Sequence, residues 1–148
     1  VWNDPGFIRN VGDRGIRTIE QARAAMRAGA LQLYADYGYG PYAVTTKADG
    51  ERIGICGLFR RDNLEHPDIG FAILPDYRGR GLAEEAAVAV RDHAIDDLAL
   101  ETLTAIVSPD NAPSIALIEK LGLTFDRMIT MPGDDEAIRL YRMHTGEE

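Results

Sequence analysis

The chain has 148 residues and a formal net charge of −8, from 16 Lys plus Arg against 24 Asp plus Glu, and that length suits one domain with a real core. Such a balance repels nucleic acid, whose binding rests on neutralising phosphates, and draws cationic partners instead; Arg60-Arg61 and Arg78-Gly79-Arg80 are too small to reverse it. No apolar stretch approaches the roughly 20 residues of a membrane span, and the lone Cys56 excludes an internal disulfide and any zinc site of several cysteines.

A reducing cytoplasm suits this cysteine usage, and residues 1–148 read as a single domain without repeats, linkers or low-complexity segments. The chain opens on Val1 rather than Met, so a processed, trimmed or partial product is expected, and nothing resembles a signal peptide. In chain order, Thr18 to Tyr37 has helical spacing, with Thr18 as N-cap and Gly38 as the stop. Pro41 to Lys47 and Arg52 to Arg60 read as strands joined through Ala48-Asp49-Gly50-Glu51, whose Asp-Gly marks a hairpin. Asp68 to Leu74 is a third strand closed by Pro75, and Gly81 to Leu98 is a helix rich in Ala and Glu. A strand at Thr102 to Val107, a helix from Asn111 to Leu121 ending at Gly122, and strands at Thr124 to Thr130 and Ala137 to Met143 complete the chain. This order predicts a mixed α/β (α+β) fold: an antiparallel front half with a βαβ crossover behind it.

The stretch Leu74-Pro75-Asp76-Tyr77-Arg78-Gly79-Arg80-Gly81-Leu82-Ala83-Glu84 joins a buried strand to a long helix through two glycines and two arginines. A helix N-terminus has unpaired N–H groups and a partial positive charge, which suits phosphate. Glycine lets the backbone approach an anion, and arginine adds charge-assisted contacts. The same residues also read as a plain connector with a solvated arginine pair. No Gly-Lys pair occurs in the chain, which excludes the P-loop, and Gly79-Arg80-Gly81-Leu82-Ala83-Glu84 puts glutamate where the dinucleotide fingerprint needs Gly or Ala.

What remains, Arg78-x-x-Gly81-x-Ala83, resembles the Q/R-x-x-G-x-G/A signature of the GNAT superfamily of N-acetyltransferases. Asn111-Ala-Pro-Ser114-Ile-Ala-Leu-Ile118-Glu119-Lys120-Leu-Gly122-Leu123 resembles the second motif of that superfamily, N-x-x-S-x-x-[VL]-x-E-K-x-G-F, one helix and one strand further on. With Asp68-Ile-Gly-Phe the pattern looks most like the branch of ribosomal-protein N-terminal acetyltransferases. The resemblance spans roughly Pro41 to Tyr141. It implies the GNAT fold, a mostly antiparallel central sheet splayed around a coenzyme A site and flanked by helices. It also implies acetyl-CoA as cosubstrate without a metal, and transfer to an amine such as a small molecule or a protein N-terminus. Two departures stand out. The superfamily's first strand is missing or atypical here, and the tyrosine that many relatives carry before Glu-Lys, as the acid for the thiolate, is Ile118.

Residue by residue, the resemblance implies that Phe71, Ala72 and Ile73 pair through their main chain with pantetheine amides, an N–H there polarising the thioester. Arg78, Gly79, Arg80, Gly81, Leu82 and Ala83 are implied to hold the pyrophosphate. Asn111 is either a helix cap or a pantetheine partner, and the two roles are compatible. Ser114 is the donor on the thiol side, or a small polar residue of a first helical turn. The amine needs a base; Asp68, Glu65 and His66 are candidates, with bulk water as the fourth reading. Cys56 reads as a small buried residue rather than a nucleophile, and His93 and His144 as surface residues. Tyr34, Tyr37, Tyr39 and Tyr42 either wall an acceptor site or pack the core, and the turn-rich Arg9–Gly15 segment also suits the acceptor side. Open sheet edges leave room for a homodimer. The rival classes are a non-catalytic acyl-CoA-binding or regulatory module and a nucleotide-phosphate-binding protein.

Overall fold

The structure is a computed structural model and describes residues 3–5 and 14–145. Its first helix, α1 (Ile19–Met26), opens on a complete capping box: the Thr18 hydroxyl accepts from the Gln21 N–H, and the Gln21 side chain accepts from the Thr18 N–H. The chain then widens into a π-helical stretch over Arg27–Leu31 and returns to α-helix in α2 (Gln32–Tyr37), stopped by Gly38 in the left-handed conformation. The expected continuous helix is therefore interrupted, with Gly29, a weak helix former, inside the wide turn. No residue of these three pieces is buried.

Six strands form one sheet: β1 (Pro41–Thr45), β2 (Arg52–Phe59), β3 (Asp68–Ile73), β4 (Thr102–Val107), β5 (Thr124–Thr130) and β6 (Ala137–His144), in the order β1-β2-β3-β4-β6-β5. β1 and β5 are its open edges. The first strand stops at Thr45, short of the expected Lys47, because the chain bulges after Val44 and closes a turn in which Thr46 N–H bonds Glu51 C=O at 3.0 Å. Pairing is antiparallel everywhere except between β3 and β4, which are joined by α3 (Leu82–Asp96). A fourth helix, α4 (Ala112–Lys120), links β4 to β5. These elements make the mixed sheet with flanking helices that the sequence order predicts.

The core lies where α3 and α4 meet the sheet: Cys56, Leu58 and Ile69 from β2 and β3, Ala87, Val90 and Ala94 from α3, Leu103, Ala105 and Val107 from β4, and Leu117 and Ile118 from α4 with its C-cap Leu121. The alanines of α3 let that helix approach the sheet closely. Arg91 ties the two helices by donating from Nη1 to the Leu121 carbonyl at 3.1 Å, and Lys120 pairs with Glu84 at 3.6 Å. The end of the loop motif and the end of the second motif are thereby held together.

Candidate active site

Between β3 and β4 only one residue pair is in register, Asp68 with Thr104. Thr104 N–H and Oγ1 both donate to the Pro67 carbonyl, at 3.0 and 2.9 Å. Beyond that point no ladder pair joins the two strands among the described residues, so a cleft opens along the C-terminal half of β3. Strand chemistry sets what the cleft offers. Leu74 N–H bonds Ile53 C=O, and antiparallel pairs alternate between bonded and non-bonded. Ala72, opposite Ile55, and Gly70, opposite Gly57, therefore direct their main chain at β2, whereas Phe71 and Ile73 direct theirs at the β4 side. Of the three residues expected to present main-chain groups to a ligand, Ala72 does not.

At the top of β3 the chain passes through a 3-10 turn, Pro75–Tyr77, and enters α3 through Gly79 (φ +77) and Gly81 (φ +75). Both need the left-handed conformation, and a Cβ at either would meet nothing within 4 Å. The space over the loop is open. Gly81 is the N-cap of α3, and no side chain caps that helix, so its first N–H groups point at this space. Glu84 and Glu85 in the first turn would oppose an anion there, but each is within 4.0 Å of a lysine, Lys120 and Lys47. Arg80 is exposed and stacks its guanidinium 5.5 Å from the Tyr77 ring centre. Arg78 differs: its Nε donates to the Ile73 carbonyl at 2.9 Å and its Nη2 meets Asp4 Oδ2 at 2.6 Å.

Across the cleft, Asn111 caps α4 by accepting from the Ser114 N–H at 3.4 Å, as its sequence position predicts. Ser114 is half-buried in the first turn of that helix. Ile118 packs in the core at 2% exposure, so no phenol occupies that place.

The three base candidates separate. Asp68 begins β3, is 1% exposed, and pairs through Oδ1 with Arg61 Nε at 3.1 Å. Burial pushes its carboxyl above the usual carboxylate range, and the Arg61 guanidinium opposes that rise. Glu65 and His66 lie in the loop before β3, 3.7 Å apart, the Glu65 side chain 92% exposed. They line a pocket of about 440 Å³ with Tyr37, Tyr39, Arg60 and Thr102, at the end of β3 opposite the glycine loop. The tyrosine run divides in the same way: Tyr34 stacks on Tyr42, while Tyr37 stacks on the buried Tyr39 and walls this pocket rather than the cleft. His144 is exposed; His93 is half-buried and pairs with Asp97 at 2.6 Å. Cys56 is buried, and burial pushes its thiol up to about 12, which leaves no thiolate for nucleophilic work. The expectation for Arg9–Gly15 falls largely on residues 6–13, outside the described residues. Asp4 and Arg61 were not legible as site residues. Both act through partners distant or unpatterned in sequence.

An open strand edge thus runs into an uncapped helix N-terminus through two left-handed glycines, an arrangement that suits an anionic ligand. The acetyltransferase (GNAT) domain model matches residues 1–124, and the chain belongs to that family. It is 27% identical over 121 residues to the uncharacterized N-acetyltransferase p20 of Bacillus licheniformis, covering 81% of this chain and 67% of that protein. It is 31% identical over 81 residues to spermidine N(1)-acetyltransferase of Escherichia coli, covering 54% and 44%. A crystal structure of an acetyltransferase from Agrobacterium tumefaciens superposes with a TM-score of 0.79 at 30% identity, covering 97% of this chain and 80% of that one. The chain spans between 32% and 67% of the length of the curated relatives it matches.

Proposed function

We propose that the chain transfers an acetyl group from acetyl-CoA to a primary amine by direct attack within a ternary complex. The observation that carries this reading is the unpaired upper half of β3 leading into the glycine loop. Phe71 and Ile73 N–H groups hold the pantetheine arm and polarise the thioester carbonyl. The pyrophosphate rests on the N–H groups from Gly79 to Ala83, with Arg80 adding a charge-assisted contact. Ser114, at the start of α4, donates toward the leaving thiolate, a role that no phenol fills at Ile118.

Asp68 is the base. It lies about 10 Å along the strand from Phe71, at about 3.3 Å per residue, and takes the proton through a chain of waters. Its raised pKa brings it nearer the working range of a base than an ordinary carboxylate. Glu65, highly exposed at the far end of β3, has no such environment. The buried Cys56 thiol supports direct transfer over an acetyl-enzyme.

A net charge of −8 favours a cationic acceptor, and a small polyamine of the kind named for the Escherichia coli relative fits that charge better than a protein N-terminus. The ribosomal-protein branch rests on the second motif together with Asp68-Ile-Gly-Phe. Acetyl-CoA use and a single thiol agree with a cytoplasmic setting. Thiol release from acetyl-CoA, measured against a panel of amines, tests the reading. Amine-dependent release with sequential kinetics is expected, whereas ping-pong kinetics or a trapped acetyl-enzyme would overturn direct transfer. CoA binding with no turnover across the panel would favour the non-catalytic module.

A further inference from the structure

Arg78 is held to its own chain at three points. Its N–H donates to the Pro75 carbonyl at 3.2 Å, its Nε to the Ile73 carbonyl at 2.9 Å, and its Nη2 meets Asp4 Oδ2 at 2.6 Å. The Asp4 side chain is only 6% exposed, against 46% for Arg78. A carboxylate so withdrawn from water is costly unless a charge meets it, so the pair is a built joint. The Ile73 carbonyl is one of the groups that β3 turns toward the cleft. By taking it, Arg78 ends the cleft's row of free main-chain groups and fixes where the chain turns into Gly79–Gly81.

We propose that Arg78 is not a pyrophosphate ligand but a tie, and that Asp4 is the positioning residue that holds it; this rests on the acetyl-CoA reading above. Asp4 and Arg78 are 74 residues apart, so the loop's donors are set partly by a segment outside both sequence motifs. If Arg78 were instead the ligand, Asp4 would occupy the anion's place, and the two readings predict opposite signs. Freed from Asp4, a ligand arginine binds phosphate better, whereas a tie that has lost its anchor binds worse because the loop's N–H groups lose their common aim.

The test is calorimetry with CoA, and with pantetheine as the probe lacking the pyrophosphate, on the whole chain and on Asp4→Ala, Arg78→Ala and the double variant. Asp4→Asn serves as a second variant that keeps shape and loses charge. The tie predicts that Asp4→Ala weakens CoA binding about tenfold, the scale of one charge-assisted bond. It also predicts that the double variant binds CoA no worse than Arg78→Ala, and that selectivity for CoA over pantetheine falls in each variant. Unchanged or tighter CoA binding by Asp4→Ala, with binding weakened by Arg78→Ala, would overturn it. So would equal losses for both probes accompanied by a lower Tm, the mark of a merely structural pair. Failure of the unaltered chain to bind CoA at all would instead refute the acetyl-CoA reading.

Discussion

The two walls of the cleft are built by different means. The β3 wall presents main chain: Phe71 and Ile73 turn their strand N–H groups to the cleft, and Gly79 and Gly81 (φ +77 and +75) form an open loop. The opposite wall works through side chains, with Asn111 capping α4 and Ser114 in its first turn. Main-chain chemistry tolerates most side-chain changes but not a change of backbone conformation. Side-chain chemistry behaves the other way. Asp68 is the exception on the β3 wall, a buried side chain at the closed end of the cleft.

The exception gives the largest expected effect. Asp68→Asn lowers kcat/KM at neutral pH by about 10²–10⁴-fold, the usual contribution of a general base, with CoA affinity unchanged by calorimetry. Because burial raises the Asp68 pKa above 3.8, activity falls with decreasing pH through a value above that figure, and the asparagine variant lacks this limb. Arg61 is the influence that lowers the pKa, so Arg61→Gln moves the limb to higher pH. The sign for stability is the reverse of that for a carboxylate whose pKa folding lowers. The native state holds this proton more tightly than the unfolded chain, so stability falls as pH rises from 3.8 to the folded value.

Next comes the main-chain wall. Gly81→Val places a β-branched residue at φ +75, which costs about 1–2 kcal/mol in backbone strain and puts its methyls in the anion's path. CoA binding weakens by more than about 100-fold, while thermal unfolding stays cooperative. Arg80→Ala, which removes one exposed contact, costs about tenfold in CoA affinity. Binding by Gly81→Val that is stronger than binding by Arg80→Ala would break the main-chain account of this wall. Smallest is Asn111→Ala on the other wall, where loss of the cap lowers stability by about 1 kcal/mol, read as a Tm shift of about 2–5 °C.

The same division explains what the sequence made legible. Elements with local signals lie within a few residues of where the sequence puts them: Thr18 as N-cap, Gly38 as a stop, Asn111 as a cap, Gly79 and Gly81 at the turn. The π-helical stretch at Arg27–Leu31 leaves the apolar spacing almost unchanged and was not foreseen. Which main-chain groups face the cleft depends on the register of β2 against β3, so Ala72 looked equivalent to Phe71 and Ile73. Glu65 and Asp68 are three residues apart in sequence, yet one is exposed and the other is sealed against Arg61, because β3 begins between them. Gly54 carries no motif signal in the sequence. In the fold a Cβ there would lie 2.2 Å from the Ala72 carbonyl oxygen of the neighbouring strand.

The central claim is that the segment from Gly79 to Ala83 holds a pyrophosphate through its N–H groups. Calorimetry of the unaltered chain with CoA and with pantetheine tests it most directly. Binding of CoA at least about 100-fold tighter than pantetheine is the predicted result, the scale of two charge-assisted contacts. Equal affinity for the two would make the loop a connector and contradict the account.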